Sequence, residues 1–335
     1  MSTLNIPLIF HVILRSSHSA FLISIFGGLF GSINTQAEIV TSVRPLGFIA
    51  AAIADGIMPV KVILPDGASP HNYALRPTDM MHIKKADLLV WVGPELEAFL
   101  DHLVMSLPTE KCITLACVPS VVPLLMTNKK YNDGQYKNYC QNNYNSNNYI
   151  SMNSSYHNSE YNMHIWLSPT IAYRTAEIIY NRLIKLLPGK KKMLDNNLQM
   201  FKNILLKNDR DLNKILLPIR GKEYYVFHDA YGYFEKYYGL TPLGYFTINP
   251  EIQPGAQALH NIRTQLIKKK ITCIFAESQF RPAFINAVAR GTSVHVGILD
   301  PLGMGIVLDK DSYIRFLLTL SKQYVSCLEK THEEK

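Results

Sequence analysis

KKKMLDNNLQMFKNILLKNDRDLNKILL, Lys190 to Leu217, runs for 28 residues without a glycine or a proline. Its apolar residues Leu194, Leu198, Phe201, Ile204, Leu205, Leu212 and Ile215 recur three and four apart, with one longer gap. That is the period of one helix face. Pro218 closes the run, because proline has no N–H to continue the ladder. At 1.5 Å per residue such a helix is about 42 Å long, as long as a domain is wide. It is read as a rigid connector between two flanking halves.

Both halves show the same texture. On the N-terminal side, Glu38–Val43, Val60–Leu64, Asp87–Val92 and Ile113–Leu115 read as strands, with helices over Leu46–Ile57 and Thr78–Lys85. On the C-terminal side, Tyr224–Phe227, Pro242–Tyr245, Thr272–Ala276 and Val294–Leu299 read as strands. They alternate with helices starting at Tyr231 and spanning Ala256–Lys269, Pro282–Ala289 and Ser312–Leu328. Strands that alternate with helices imply βαβ units and a parallel sheet. The expected fold is therefore α/β: two βα lobes with parallel-rich sheets, 38–187 and 219–335, joined by one long rigid helix over 188–218.

The first 37 residues differ again. Ala20–Phe30, AFLISIFGGLF, is apolar for 11 residues, short of the roughly 20 that span a bilayer. Arg15 precedes it with no acidic residue nearby, and Thr35 and Ala37 place small residues just before Glu38. This is the pattern of a cleaved secretory signal over 1–37, so the chain is expected to be exported. The whole sequence carries 34 basic and 26 acidic residues, and removing 1–37 takes one arginine away, which leaves 33 − 26 = +7. The lysine runs 190–192 and 268–270 have no interleaved aromatics, so no stacking platform forms and no nucleic-acid partner is expected. A composition of 47% hydrophobic and 18% charged residues excludes a disordered chain.

Residues 128–162 are built largely from Asn and Tyr with few aliphatics. Such a tract cannot bury a core and reads as a disordered polar loop. Five cysteines are too few for a disulfide scaffold, and no CxxC is present to hold a thiolate metal site. Cys112 and Cys117 either pair or stay as two buried thiols, and Cys140 is left over.

Three of the eleven histidines stand out by context. His71 ends LPDGASPH directly after a strand, His164 lies in NMHIWLSP before a helix start, and His228 ends the apolar run YYVFH. Parallel-sheet proteins build their sites at such strand ends. Zinc favours imidazole nitrogen in a tetrahedral set, whereas carboxylate-rich sites tilt toward manganese. Spacing alone leaves open whether the three converge.

PDGASPHNYALRPTD (65–79), ADLLVWVGPELEAFL (86–100), MHIWLSP (163–169), YYVFHDAYGYFEKYYGL (224–240), NPEIQPGAQ (249–257) and GILDPLG (297–303) resemble, in order, the periplasmic zinc-binding proteins of high-affinity zinc ABC importers, the ZnuA type. The resemblance runs from Glu38 almost to the C-terminus, broken only by the 128–162 tract. It implies two α/β lobes on one long helix, with a Zn2+ site in the cleft between them formed by His71, His164 and His228. Asp300 matches a position that reaches the metal in related proteins, so it is either a fourth ligand or a turn aspartate. Some zinc-importer relatives place Glu directly before the first histidine; here that residue is Pro70. Asp229 and Glu277 are expected to orient ligand imidazoles, and Cys273 and Cys327 to form the family disulfide.

The resemblance also implies a monomeric periplasmic protein that hands its ion to an ABC-type membrane permease and catalyses nothing. The family often carries a His- and acid-rich loop between its first two ligands. Here the tract offers only His157, Asp133, Glu160 and Cys140, so no second metal site is expected. Capture of manganese or iron is the alternative within the class, and a metal-dependent surface adhesin is a separate, third possibility. A secreted zinc hydrolase is the rival class, since three His and an open position also describe catalytic zinc. The chain contains no HExxH, GxSxG or P-loop.

Overall fold

The computed structural model describes residues 37–127, 140, 161–280 and 283–330. All but Ala37 of the signal predicted over 1–37, and most of the 128–162 tract, lie outside the described residues. Ile39–Thr41 (β1), Val60–Val62 (β2), Leu88–Trp91 (β3) and Cys112–Thr114 (β4) form a sheet of order β2-β1-β3-β4 in which every pair is parallel. Its helices are Arg44–Ile53 (α1), Pro77–Lys85 (α2) and Ala98–Met105 (α3). Met126–Thr127 (β5) then pairs antiparallel with Tyr161–Asn162 (β6), followed by Pro169–Leu186 (α4) and Lys191–Leu216 (α5).

The second sheet comprises Glu223–His228 (β7), Thr241–Thr247 (β8), Cys273–Glu277 (β9) and His295–Leu299 (β10). Its order is β10-β9-β7-β8, again parallel throughout. Gly232–Tyr238 (α6), Ala256–Lys268 (α7), Ala283–Ala289 (α8) and Ser312–Leu328 (α9) complete it.

Strand alternation explains how these layers pack. Ile39, Leu88 and Val90 face a central core, while Val40, Leu89 and Trp91 face the outer side of the first sheet. In the second sheet Tyr224, Val226, Cys273 and Phe275 join the same central core, while Tyr225, Phe227 and Ile274 turn outward. Strands buried on both faces read as continuous apolar runs, as β3, β7 and β9 largely do. The connector α5 buries Leu194, Phe201, Leu205, Leu212 and Leu216 along one face and packs against α4, α9 and α1. One apolar core thus runs from the first sheet through α5 to the second.

Loops also bind the halves together. Arg44 pairs with Asp66 at 2.9 Å, and its guanidinium donates to the carbonyls of Gly303 and Ile306. Asp66 in turn accepts from the Gly305 N–H at 3.2 Å. Gly303 has φ +69°, and a Cβ there would lie 2.8 Å from Phe48 and 2.9 Å from Phe316. Only glycine suits that backbone and that gap.

Cys273 and Cys327 are bonded, stapling β9 to α9 across 54 residues. Closing such a loop is worth about 4 kcal/mol in the chain-entropy account. Cys140 corrects its expectation: it bonds Cys117, and Cys112 is the cysteine left alone among the described residues. The 23 residues separating that pair gave the sequence no local sign of their meeting. The polar tract likewise ends earlier than composition implied, because Tyr161 and Asn162 are buried and paired in β6. No helix among the described residues is long and apolar enough to cross a membrane.

Candidate metal centre

Four short signals deliver the site residues. The Pro65–Pro70 loop leaves the first sheet after β2, and Ser69 Oγ accepts from the His71 N–H at 3.2 Å. Ser168 caps α4 by accepting from the Ile171 N–H at 3.2 Å, with Pro169 in the first turn. That serine–proline start leaves His164 one 3-10 turn upstream, just beyond β6. His228 is the last residue of β7, and Glu277 is the last residue of its neighbour β9. Strand order reverses between β7 and β9, where a parallel sheet opens its crevice at the carboxyl ends.

These elements bring the three sequence-predicted histidines together. His164 Nε2 lies 3.3 Å from His71 Nε2 and 3.2 Å from His228 Nε2. Among the described residues this is the one such group, with all ligand atoms within 4.8 Å of one another. They border a cavity of about 10 Å³ that Trp166 and Leu302 help to wall. Trp166 stands edge-on to His164 at 5.3 Å and donates its Nε1–H to the Pro301 carbonyl at 2.8 Å.

Each buried imidazole is held from behind. His228 Nδ1 lies 2.6 Å from Glu277 Oε1, which also accepts from the Tyr231 hydroxyl at 3.0 Å. His164 Nδ1 lies 2.9 Å from Asn162 Oδ1. Enclosure, and then the neighbouring His228, push His71 down to about 3. His164 is pushed well below its ordinary value by burial, then by His228 and His71. Both rings are therefore neutral near pH 7, the form that ligates a metal.

The acidic residues divide. Glu277 meets the His228 imidazole directly. Asp229 does not hydrogen-bond to any of the three rings: its Oδ1 is 3.4 Å from Asn162 Nδ2, and Asn162 stands between it and His164. Asp229 thus reaches His164 only through that amide. Asp300 is hydrogen-bonded within its own turn and to Gln279. Its Oδ1 accepts from the Leu302 N–H and from Gln279 Nε2, both at 2.9 Å, and its Oδ2 accepts from the Met304 N–H at 2.5 Å. It is not among the convergent ligand atoms. Asn162 and Tyr231 lie inside the quoted motifs and Gln279 outside them, yet the sequence assigns none of the three a role at the site.

Two parallel-sheet lobes packed on one long helix, with three imidazoles converging where their loops meet, define a solute-binding protein for a metal ion. The family model for the periplasmic zinc-uptake complex component A, ZnuA, matches residues 39–327. The chain belongs to the ZnuA family. It is 55% identical over 294 residues to the high-affinity zinc uptake system protein ZnuA of Yersinia pestis, covering 88% of this chain and 92% of that protein. The ZnuA of Haemophilus ducreyi is 46% identical, over 88% of this chain and 94% of its own length. A crystal structure of ZnuA superposes with TM-score 0.70 at 23% identity, covering 87% of this chain and 99% of that one.

Proposed function

We propose that the protein captures Zn2+ in the periplasm through His71, His164 and His228 and delivers it to an ABC-type membrane permease. One observation carries this reading. His164 directs Nδ1 at the Asn162 amide oxygen, so its neutral ring presents the Nε2 lone pair toward His71 and His228. Nitrogens bound at 2.0–2.1 Å to a tetrahedral zinc are about 3.3 Å apart, close to the 3.3 Å and 3.2 Å that separate His164 Nε2 from those of His71 and His228. Three neutral imidazoles leave one position open, which keeps the ion releasable. The donor set holds no carboxylate, and this favours zinc over manganese. Glu277, the nearest candidate base for a hydrolase, already accepts from His228 and Tyr231. Export by cleavage after Ala37 and action as a monomer belong to the same proposal.

Competition titration of the purified protein with Zn2+ and Mn2+ tests it. Zn2+ is expected to bind at one site and outcompete Mn2+, and tighter manganese binding would sink the zinc assignment. His71→Ala, His164→Ala and His228→Ala are each expected to weaken zinc binding by two orders of magnitude or more. Three variants that bind like the parent would move the site elsewhere.

A further inference from the structure

We propose that Asn162 is a positioning residue for metal capture: it sets the tautomer of His164 and ties that imidazole to the backbone carrying His228. Its consequence for affinity rests on the zinc reading above; its consequence for the tautomer does not.

The argument begins with groups whose hydrogen-bonding sense is fixed. The backbone N–H of His164 can only donate, and it points at one terminal atom of the Asn162 amide at 3.0 Å. That atom is therefore the oxygen. The same oxygen faces His164 Nδ1 at 2.9 Å, so Nδ1 carries the proton. Nε2 is then left with its lone pair, directed at His71 and His228. The other end of the amide gives the same answer. The Asp229 carbonyl can only accept, and it lies 2.8 Å from Asn162 Nδ2. A flipped amide would break both contacts at once, so the side chain has one usable orientation.

Position makes this more than a local turn. Asn162 is buried on β6, while Asp229 directly follows His228 at the end of β7. The Asn162 carbonyl also accepts from the Tyr233 hydroxyl at 2.7 Å, and that hydroxyl accepts from the Met126 N–H at 2.9 Å. The β5–β6 ribbon is thus fastened to α6 and to the backbone just past β7, beside the site. One amide spans the histidine on the ribbon side and the histidine on the sheet. His228, whose Nδ1 faces Glu277, is held by a carboxylate shared with Tyr231.

The test uses Asn162→Leu and Asn162→Asp in the exported protein. The His164 tautomer is read by 15N NMR of labelled imidazoles in metal-free protein, zinc affinity by competition titration, and folding by near-UV circular dichroism. The parent is expected to show Nδ1–H at His164. Asn162→Leu is expected to mix the two tautomers and lose roughly tenfold to hundredfold in zinc affinity, with the His71 and His228 signals in place. Asn162→Asp keeps an acceptor oxygen and is expected to restore the Nδ1–H tautomer and part of the affinity. A folded leucine variant with the parent's tautomer, binding zinc within about threefold of the parent, overturns the inference. If leucine at 162 unfolds the chain, loss of the Nδ1–H tautomer in Asn162→Asp overturns it instead. A parent that binds no zinc removes the zinc reading, and the tautomer comparison alone then decides the role of Asn162.

Discussion

Glu97 holds a carboxyl out of water in the turn after β3, where Oε2 accepts from the N–H groups of Val92 (2.8 Å) and Gly93 (3.1 Å). Burial pushes it from 4.5 up to about 7, against the pull of those N–H groups. Between these values the folded chain keeps a proton that the unfolded chain has released. Its contribution is complete below the unfolded value and is lost as pH rises through about 7. Glu97→Gln, neutral at every pH, escapes that loss. Relative to the parent, the variant is expected to gain up to about 3 kcal/mol as pH rises from 4.5 to 8, read from urea midpoints. The histidines were legible because strand ends and a helix start flank them in the sequence. Asn162 was not, because an asparagine inside an Asn/Tyr-rich tract carries no compositional contrast. The fate of Asp300 was not legible either, since both a ligand and a turn aspartate satisfy Asp-Pro-Leu-Gly.

The connector and the second sheet show where periodicity suffices. The predicted run 190–217 is a helix over Lys191–Leu216, and the last helix falls on Ser312–Leu328 as read. Both are long and strongly one-faced. The helix α3 went unread because it is short and its N-cap, Glu97, makes no side-chain cap bond. The β5–β6 ribbon joins Met126 to Asn162 across a long insertion, a pairing that no local pattern announces. The two faces of α5 make a direct comparison. Leu212 is fully buried in the central core, whereas Leu206 is 54% exposed. Leu212→Ala is expected to cost about 2–5 kcal/mol and Leu206→Ala no more than about 0.5 kcal/mol, measured by chemical denaturation under identical conditions.

Across the whole molecule, the two sheets meet through shared packing as well as through a tether. Gly303 sits at that seam: its backbone is left-handed, its missing Cβ makes room for Phe48 and Phe316, and its carbonyl accepts from Arg44. Gly303→Ala is expected to destabilise the fold by about 2 kcal/mol or more through strained φ and displaced rings. Thermal unfolding of the variant against the parent checks this, and an unchanged midpoint would show that the seam yields freely. The common core has a kinetic meaning for the cargo. A receptor whose halves are fused through one interior has its pocket assembled before the ion arrives, so arrival needs little rearrangement. Differences in grip then fall mainly on the exit rate.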